Sequence, residues 1–218
     1  MKLYHFLTTE NAISDLALKR IKVSRLKQLN DPFELLAVDT LNPLDKAALE
    51  AFKTRMNDAY GIICFSNDWN NPLLWGHYAR AHTGIALGFE ISDDLLIKVN
   101  YTNERAKIQF DPTSRTVVDG QKTINRLLST KFKDWSYENE SRVFTDLDPN
   151  SKEGENYFSY FSEKIKLEDI VLGMECPLSI SHVKRFVSDT YEGKVRVLKA
   201  GMHRRLFKII ENRAARTI

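Results

Sequence analysis

Lys2 to Leu7 reads as a short strand, and Ile21 to Leu26 alternates apolar and polar positions as a half-buried strand does. Between them Thr9 can cap a helix whose apolar face is Ala12, Ile13, Leu16 and Ala17. Asn30-Asp31-Pro32-Phe33-Glu34 has turn chemistry, because Asn and Asp bond their own backbone and Pro fixes φ. Asp45 to Tyr60 reads as a helix with Ala48, Phe52 and Met56 on one side. Gly61 to Ser66 is a continuous apolar run ending in a hydroxyl, the pattern of a buried strand that opens onto a site. Asn71-Pro72 starts a further helix, with Asn as cap and Pro in the first turn, and Gly84 stops it. Strands are expected at Ile85 to Ile91, within Val99 to Phe110, at Arg142 to Leu147, Ile165 to Leu172 and Lys194 to Leu198. Helices are expected at Asp119 to Phe132 and Ser179 to Tyr191, and loops at Pro112 to Gly120 and Asp148 to Gly154.

Strands and helices interleave without a regular βαβ rhythm or a Gly-rich loop, which disfavours a doubly wound dinucleotide fold. The expected architecture is α+β: a single domain spanning residues 1–218, with a split, mostly antiparallel sheet flanked by helices. At 43% hydrophobic residues the chain can bury a substantial core. Met1 to Phe6 leads straight into Thr8, Thr9, Glu10 and Asn11, so no secretory leader is expected. The apolar runs are of strand length, far short of the roughly 20 residues that span a bilayer. Cys64 and Cys176 each have apolar neighbours, which suits reduced thiols in the cytoplasm. The net charge of +3 is small but uneven, with ten Lys or Arg against three Asp or Glu in residues 184–218. That surplus hints at an anionic partner, and a solvated basic surface explains it equally.

Three groups of residues bear chemistry. His5 sits in a strand between Tyr4 and Phe6 and points to the opposite face from both. The helix from Pro72 carries Trp75, Tyr78, Ala79 and His82 at helical spacing, a face that could stack on a ligand or pack on the sheet. His77 and His82, five residues apart on that helix, are separated by roughly 140° and cannot converge, so no metal is expected. In Trp135-Ser136-Tyr137-Glu138-Asn139-Glu140-Ser141-Arg142, two carboxylates and a guanidinium share a strand face. One reading is an exposed edge-strand ion pair. The other is a carboxylate that bonds a sugar hydroxyl while its neighbour and Arg142 set its charge.

Six ordered blocks, from Tyr4-His5-Phe6 through Asn30 to Glu34, Ile63 to Ser66, Pro72 to Ala79 and His82-Thr83-Gly84 to Trp135 through Arg142, resemble a bacterial family. It is the family named domain of unknown function 2971. The chain is similar, more distantly, to the ADP-ribosyltransferase superfamily, including its DNA-modifying toxin branch. That resemblance implies a catalytic set of His5, Ser66 and Glu140, completed by Glu138, with NAD as the substrate consumed. It implies that His5 holds a ribose or the nicotinamide amide, that Trp75 or Tyr78 stacks on the nicotinamide, and that Asn30, Asp31 and Glu34 line the cleft. It further implies a nucleic-acid or protein acceptor, no membrane, and a role in toxicity or phage defence. A non-catalytic module that binds a nucleotide or nucleic acid is the competing expectation, and the oligomeric state stays open.

Overall fold

A computed structural model describes residues 1–34, 38–39, 43–107, 125–191 and 193–217. Strand β1 (Lys2–Leu7) enters α1 (Thr9–Leu18), and β2 (Arg20–Arg25) returns. After β3 (Val38–Asp39), α2 (Pro43–Ala59) leads into β4 (Tyr60–Ser66), α3 (Pro72–Tyr78) and β5 (Ile85–Ile91). Short strands β6 (Leu96–Lys98), β7 (Asn100–Thr102) and β8 (Ala106–Lys107) precede a helical turn, α4, at residues 125–129. Then come β9 (Thr130–Phe132), a 3₁₀ segment (Lys133–Glu138), β10 (Glu140–Asp146), β11 (Lys152–Glu153), β12 (Asn156–Tyr160) and β13 (Ile165–Leu172). Helix α5 (Ile180–Thr190) and strands β14 (Arg196–Met202) and β15 (Ile209–Glu211) follow.

Among the described residues eleven strands form one mixed, mostly antiparallel sheet, in the order β11-β12-β2-β4-β1-β5-β13-β14-β15, with β10 on β4 and β6 on β10. The expected split is not found, since β4 and β1 belong to this one sheet, but their pairing is the thinnest described in it. Strand β1 is laddered to β5 over six pairs, Lys2↔Glu90 to Leu7↔Ile85, but meets β4 at Tyr4↔Ser66 alone. The other end of that edge of β4 pairs with β2, at Ser24↔Ile62 and Arg25↔Gly61. Between these contacts the middle of β4 has no strand partner on this side among the described residues, although β10 covers its other edge over seven pairs.

The two faces of the sheet are covered differently. On one, Ala12 and Leu16 of α1 and Ile180, Val183 and Val187 of α5 pack on Leu3, Ile63, Phe65, Leu87 and Phe89 in one large cluster. On the other, two clusters stay apart. Trp75 of α3 and Ala79, its C-cap, pack on Tyr4, Ala86, Val171 and Leu198, while Leu49 and Met56 of α2 pack on Leu26, Leu127 and Leu128. The forked edge of β4 opens between them.

Several expected elements shift. The cap of α1 is Thr8, whose hydroxyl accepts from the Asn11 amide, because Thr9 turns inward to donate to the Thr83 carbonyl at 2.8 Å. Ile13 and Ala17 are exposed and the buried positions are Ala12, Asp15 and Leu16. Helix α3 ends at Tyr78 rather than near Gly84, since Arg80, Ala81 and His82 all take positive φ. That turn brings Gly84 against the Leu7 carbonyl so closely that a Cβ there would lie 2.1 Å from the oxygen. Of the expected helix Asp119 to Phe132, residues 125–129 are helical. Residues 130–132 form β9, paired with β7, and residues 119–124, like the loop Pro112 to Gly120 and residues 108–110, lie outside the described residues. Strands β3, β6, β11, β12 and β15 fall where the hydrophobic pattern predicts none, β11 within the expected loop Asp148 to Gly154. No helix among the described residues is long and apolar enough to cross a membrane.

Candidate functional site

A cleft of about 270 Å³ occupies the fork. By their ladder, Ile62, Cys64 and Ser66 of β4 and Glu140 and Arg142 of β10 face the same way, toward it. His5 enters from β1, Lys22 and Ser24 from β2, Tyr78 from α3, Lys131 from β9, and Asn30 and Glu34 from the turn after β2. The sheet supplies one wall and α3 the other.

Arg142 is the best-satisfied group in the cleft. Its guanidinium is fully buried and all five N–H groups donate: Nε and one terminal nitrogen to the two oxygens of Glu140 at 2.8 and 3.2 Å, a bidentate pair to Glu34 at 2.6 and 3.0 Å, and one to the Leu128 carbonyl at 3.0 Å. This planar fork is the geometry in which arginine binds carboxylates best. The reading of Arg142 as an exposed edge-strand partner is therefore wrong, because β4 on one edge and β6 on the other enclose its strand. Lys131, also buried, donates to Glu138 at 2.5 Å and to Glu140 at 3.1 Å, with the Trp135 ring 5.0 Å from its ammonium.

Glu138 is not in the strand. It is the last residue of the 3₁₀ segment, and Asn139, at φ 44, makes the corner into β10. The end of β4 clamps this corner: Ser66 Oγ donates to the Glu138 carbonyl at 2.7 Å, and the Asn67 amide donates to the Asn139 carbonyl at 3.0 Å. The two carboxylates are thus brought together by Lys131 rather than by strand alternation. Glu138 also accepts a hydrogen bond from the Tyr78 hydroxyl, which in turn accepts from Asn30 Nδ2 at 2.7 Å. A continuous hydrogen-bonded chain runs from Asn30 through Tyr78, Glu138, Lys131, Glu140 and Arg142 to Glu34. Both its ends lie in one turn, which Asp31 organises by accepting from the Phe33 amide at 2.9 Å.

The charges in this chain are unequal: three carboxylates, Glu34, Glu138 and Glu140, face two cations, Lys131 and Arg142. Burial pushes the Glu140 carboxyl up, but Arg142 and Lys131 outweigh it and hold it at about 2. Burial also pushes Glu138 up, and there Lys131 and Tyr78 only partly oppose it, so its proton is held more tightly than an ordinary glutamate's. Lys131 loses basicity to burial and regains more from Glu140 and Glu138, ending above its ordinary value. Glu140 accepts from three N–H donors, two of Arg142 and one of Lys131, whereas Glu138 accepts from one on each oxygen and has capacity for more.

His5 lies at the open middle of β4. Its Nδ1 sits 2.8 Å from the Cys64 carbonyl and therefore carries the proton, taking the place of a missing ladder donor. Burial lowers its pKa against the smaller raising effect of that bond, so the ring is neutral and Nε2 is an acceptor. Its ring meets Phe65 edge-on, with the ring centroids 5.8 Å apart.

Of the residues singled out from sequence, His5, Asn30, Ser66, Tyr78, Glu138 and Glu140 line this one cleft, as do Glu34 and Arg142. Two expected ligand contacts do not. Trp75 is completely buried, packed edge-on against Phe6 and donating Nε1 to the Trp69 carbonyl at 2.7 Å, because α3 turns its apolar face to the sheet. Asp31 is buried within its turn and does not reach the cleft. Lys131 was missed: a lone lysine in Thr-Lys-Phe carries no motif, and the preceding residues read as helix.

A family described as a protein of unknown function, DUF2971, has a model that matches residues 74–143. This is narrower than the span of the six blocks noted above. The match includes Tyr78, Lys131, Glu138, Glu140 and Arg142 and excludes His5, Glu34 and Ser66. No curated protein and no solved structure matches the chain.

Proposed function

We propose that this cleft binds a nicotinamide nucleotide such as NAD and cleaves its N-glycosidic bond, passing the ADP-ribosyl group to water or to an acceptor. The observation that carries the reading is the unbalanced carboxylate pair, Glu138 and Glu140 bridged by Lys131, in a cleft that also holds a neutral imidazole. In such a cleavage the C1′–N bond breaks and its electron pair stays on the nicotinamide nitrogen, which turns from cationic to neutral. Positive charge then develops on the ribose. The surplus carboxylate offsets that charge, as the carboxylates of glycosidases do.

Glu138 is the ligand-facing carboxylate in this reading and Glu140 the group that positions Lys131 and Arg142 around it. The proton of the attacking water or acceptor passes to Glu138, whose raised basicity suits a proton acceptor. His5 Nε2 accepts a hydrogen bond from a ribose hydroxyl or the nicotinamide amide. Tyr78 lies against the nicotinamide and Ser66 holds the Glu138 corner in place.

The test is release of free nicotinamide from NAD by purified protein, followed by chromatography, for wild type and Glu138→Gln. Loss of about two orders of magnitude or more in the variant, with unchanged thermal stability, supports the assignment. No release by the wild type, together with no thermal shift on adding NAD, overturns it in favour of a non-catalytic binding module.

A further inference from the structure

The cleft has two sides of unlike chemistry. On the β10 side Glu34, Glu138 and Glu140 are tied to Lys131 and Arg142. On the β2 side stand Lys22 and Ser24, both partly buried and both lining the cleft. They share one face of their strand, because Ile21 and Val23, which alternate with them, pack in the large cluster on the opposite face of the sheet. Neither the Lys22 ammonium nor the Ser24 hydroxyl makes a hydrogen bond or ion pair among the described residues. An ammonium held partly out of water without a counter-ion adds nothing to the fold. It suits a site whose counter-ion arrives with the ligand.

Strand register fixes where this cation stands. Ser24 is level with Ile62, so Lys22, two residues on, comes level with Cys64, which Arg142 faces from the other edge of β4. Along that row the order is Lys22, the fork that His5 enters, Cys64 and Arg142. At about 4.8 Å per strand, the Lys22 and Arg142 backbones are at least about 10 Å apart. The cleft therefore offers an unpaired positive group on one side and, across the fork, Glu138 with capacity to accept.

We propose that Lys22, with Ser24 beside it, is a phosphate subsite that makes the cleft select a phosphorylated ligand over the corresponding nucleoside. A phosphate has enough acceptor oxygens to take an ammonium and a hydroxyl together, and lysine serves it as a point charge. Placing the ligand's cationic ring at Glu138 and its phosphate at Lys22 rests on the proposed NAD cleavage; the phosphate contact itself does not.

Isothermal titration calorimetry tests it with two probes, ADP-ribose, which has no nicotinamide to release, and adenosine. Wild type is expected to bind ADP-ribose about tenfold or more tightly than adenosine. Lys22→Met is expected to weaken ADP-ribose binding by about ten- to a hundredfold, the loss of one charge-assisted contact, and to leave adenosine binding as it was. Its melting temperature should not fall, since Lys22 has no partner to strand, and Lys22→Arg should keep most of the affinity. Absence of ADP-ribose binding, equal affinity of wild type for the two probes, or a Lys22→Met variant that binds ADP-ribose as wild type does each overturns the proposal. Lys22-dependent ADP-ribose binding without nicotinamide release from NAD would leave the subsite standing and remove the cleavage. Nicotinamide release from NAD with ADP-ribose binding indifferent to Lys22 would do the reverse.

Discussion

Two buried carboxylate clusters on this sheet differ in a way that separates holding from acting. Within the sheet Asp169 receives Arg196 at 2.9 and 3.1 Å, Lys2 at 3.3 Å and the Tyr4 hydroxyl at 3.1 Å, tying β1, β13 and β14 together. Gly88 leaves the space for this, since a Cβ there would lie 2.8 Å from both the Tyr4 ring and the Asp169 Cβ. Its cations are partly solvated and outnumber the buried carboxylate they serve. In the hydrogen-bonded chain of the cleft three carboxylates meet two cations, Lys131 and Arg142, both buried, and the other cation of the lining, Lys22, is only partly buried. A cluster with solvated counter-ions is complete as it stands. One with more carboxylates than buried cations beside an open cavity is the arrangement that the proposed NAD cleavage would use.

The largest expected effect is on stability, from Arg142→Leu. It strands Glu34 and Glu140 without their guanidinium, and breaking a buried pair in this way costs about 3–5 kcal/mol. Urea unfolding measures it. A loss below about 1 kcal/mol would mean that the cleft is wet enough to solvate both carboxylates, which would erase the contrast with Asp169. Next comes Glu138→Gln, expected to cost about two orders of magnitude in nicotinamide release while leaving the unfolding free energy within about 0.5 kcal/mol of wild type, because the amide oxygen can still accept a hydrogen bond and Lys131 keeps Glu140. Asp169→Asn should do the opposite and spare the activity.

Acid sharpens the comparison further. Glu140 has a folded-state pKa below its unfolded value, so its stabilisation is complete above the ordinary glutamate range and is lost as pH falls toward about 2. Stability of the wild type should therefore fall across that window with a contribution approaching about 1.4 kcal/mol per pH unit for this one proton. Unfolding of Glu140→Gln, scanned over the same window, should lack that contribution. Equal acid slopes would mean that Glu140 is not held as its contacts imply.

The sequence made one part of this cleft readable and hid another, for physical reasons. Hydrophobic patterning located β1, β4, β5, β13 and α5 to within a residue or two, because their faces are buried in one cluster and the period is enforced by the core. It also isolated Glu138, Glu140 and Arg142, since charges next to aromatic residues stand out. What it could not supply was pairing: that β4 is forked, that Glu34 reaches Arg142 across 108 positions, or that a helix would give way to β9 and deliver Lys131. Trp75 and Tyr78, one turn apart on the same short helix, looked equivalent in sequence. Only packing separates the tryptophan buried on Phe6 from the tyrosine bonded to Glu138.

The smallest effect belongs to Arg196→Ala. The guanidinium makes two hydrogen bonds to Asp169, yet its side chain is 55% exposed, so water already solvates much of it and competes for it. After its removal Asp169 keeps Lys2 and Tyr4, and water can enter from the side the arginine vacates. The expected loss is about 0–1 kcal/mol by urea unfolding, with nicotinamide release unchanged. The comparison turns on this number being several-fold smaller than that for Arg142→Leu, although both arginines make bonds of similar length. If the two losses were alike, burial and charge surplus would not be what distinguishes the clusters, and the carboxylates of the cleft would be better read as a second structural staple.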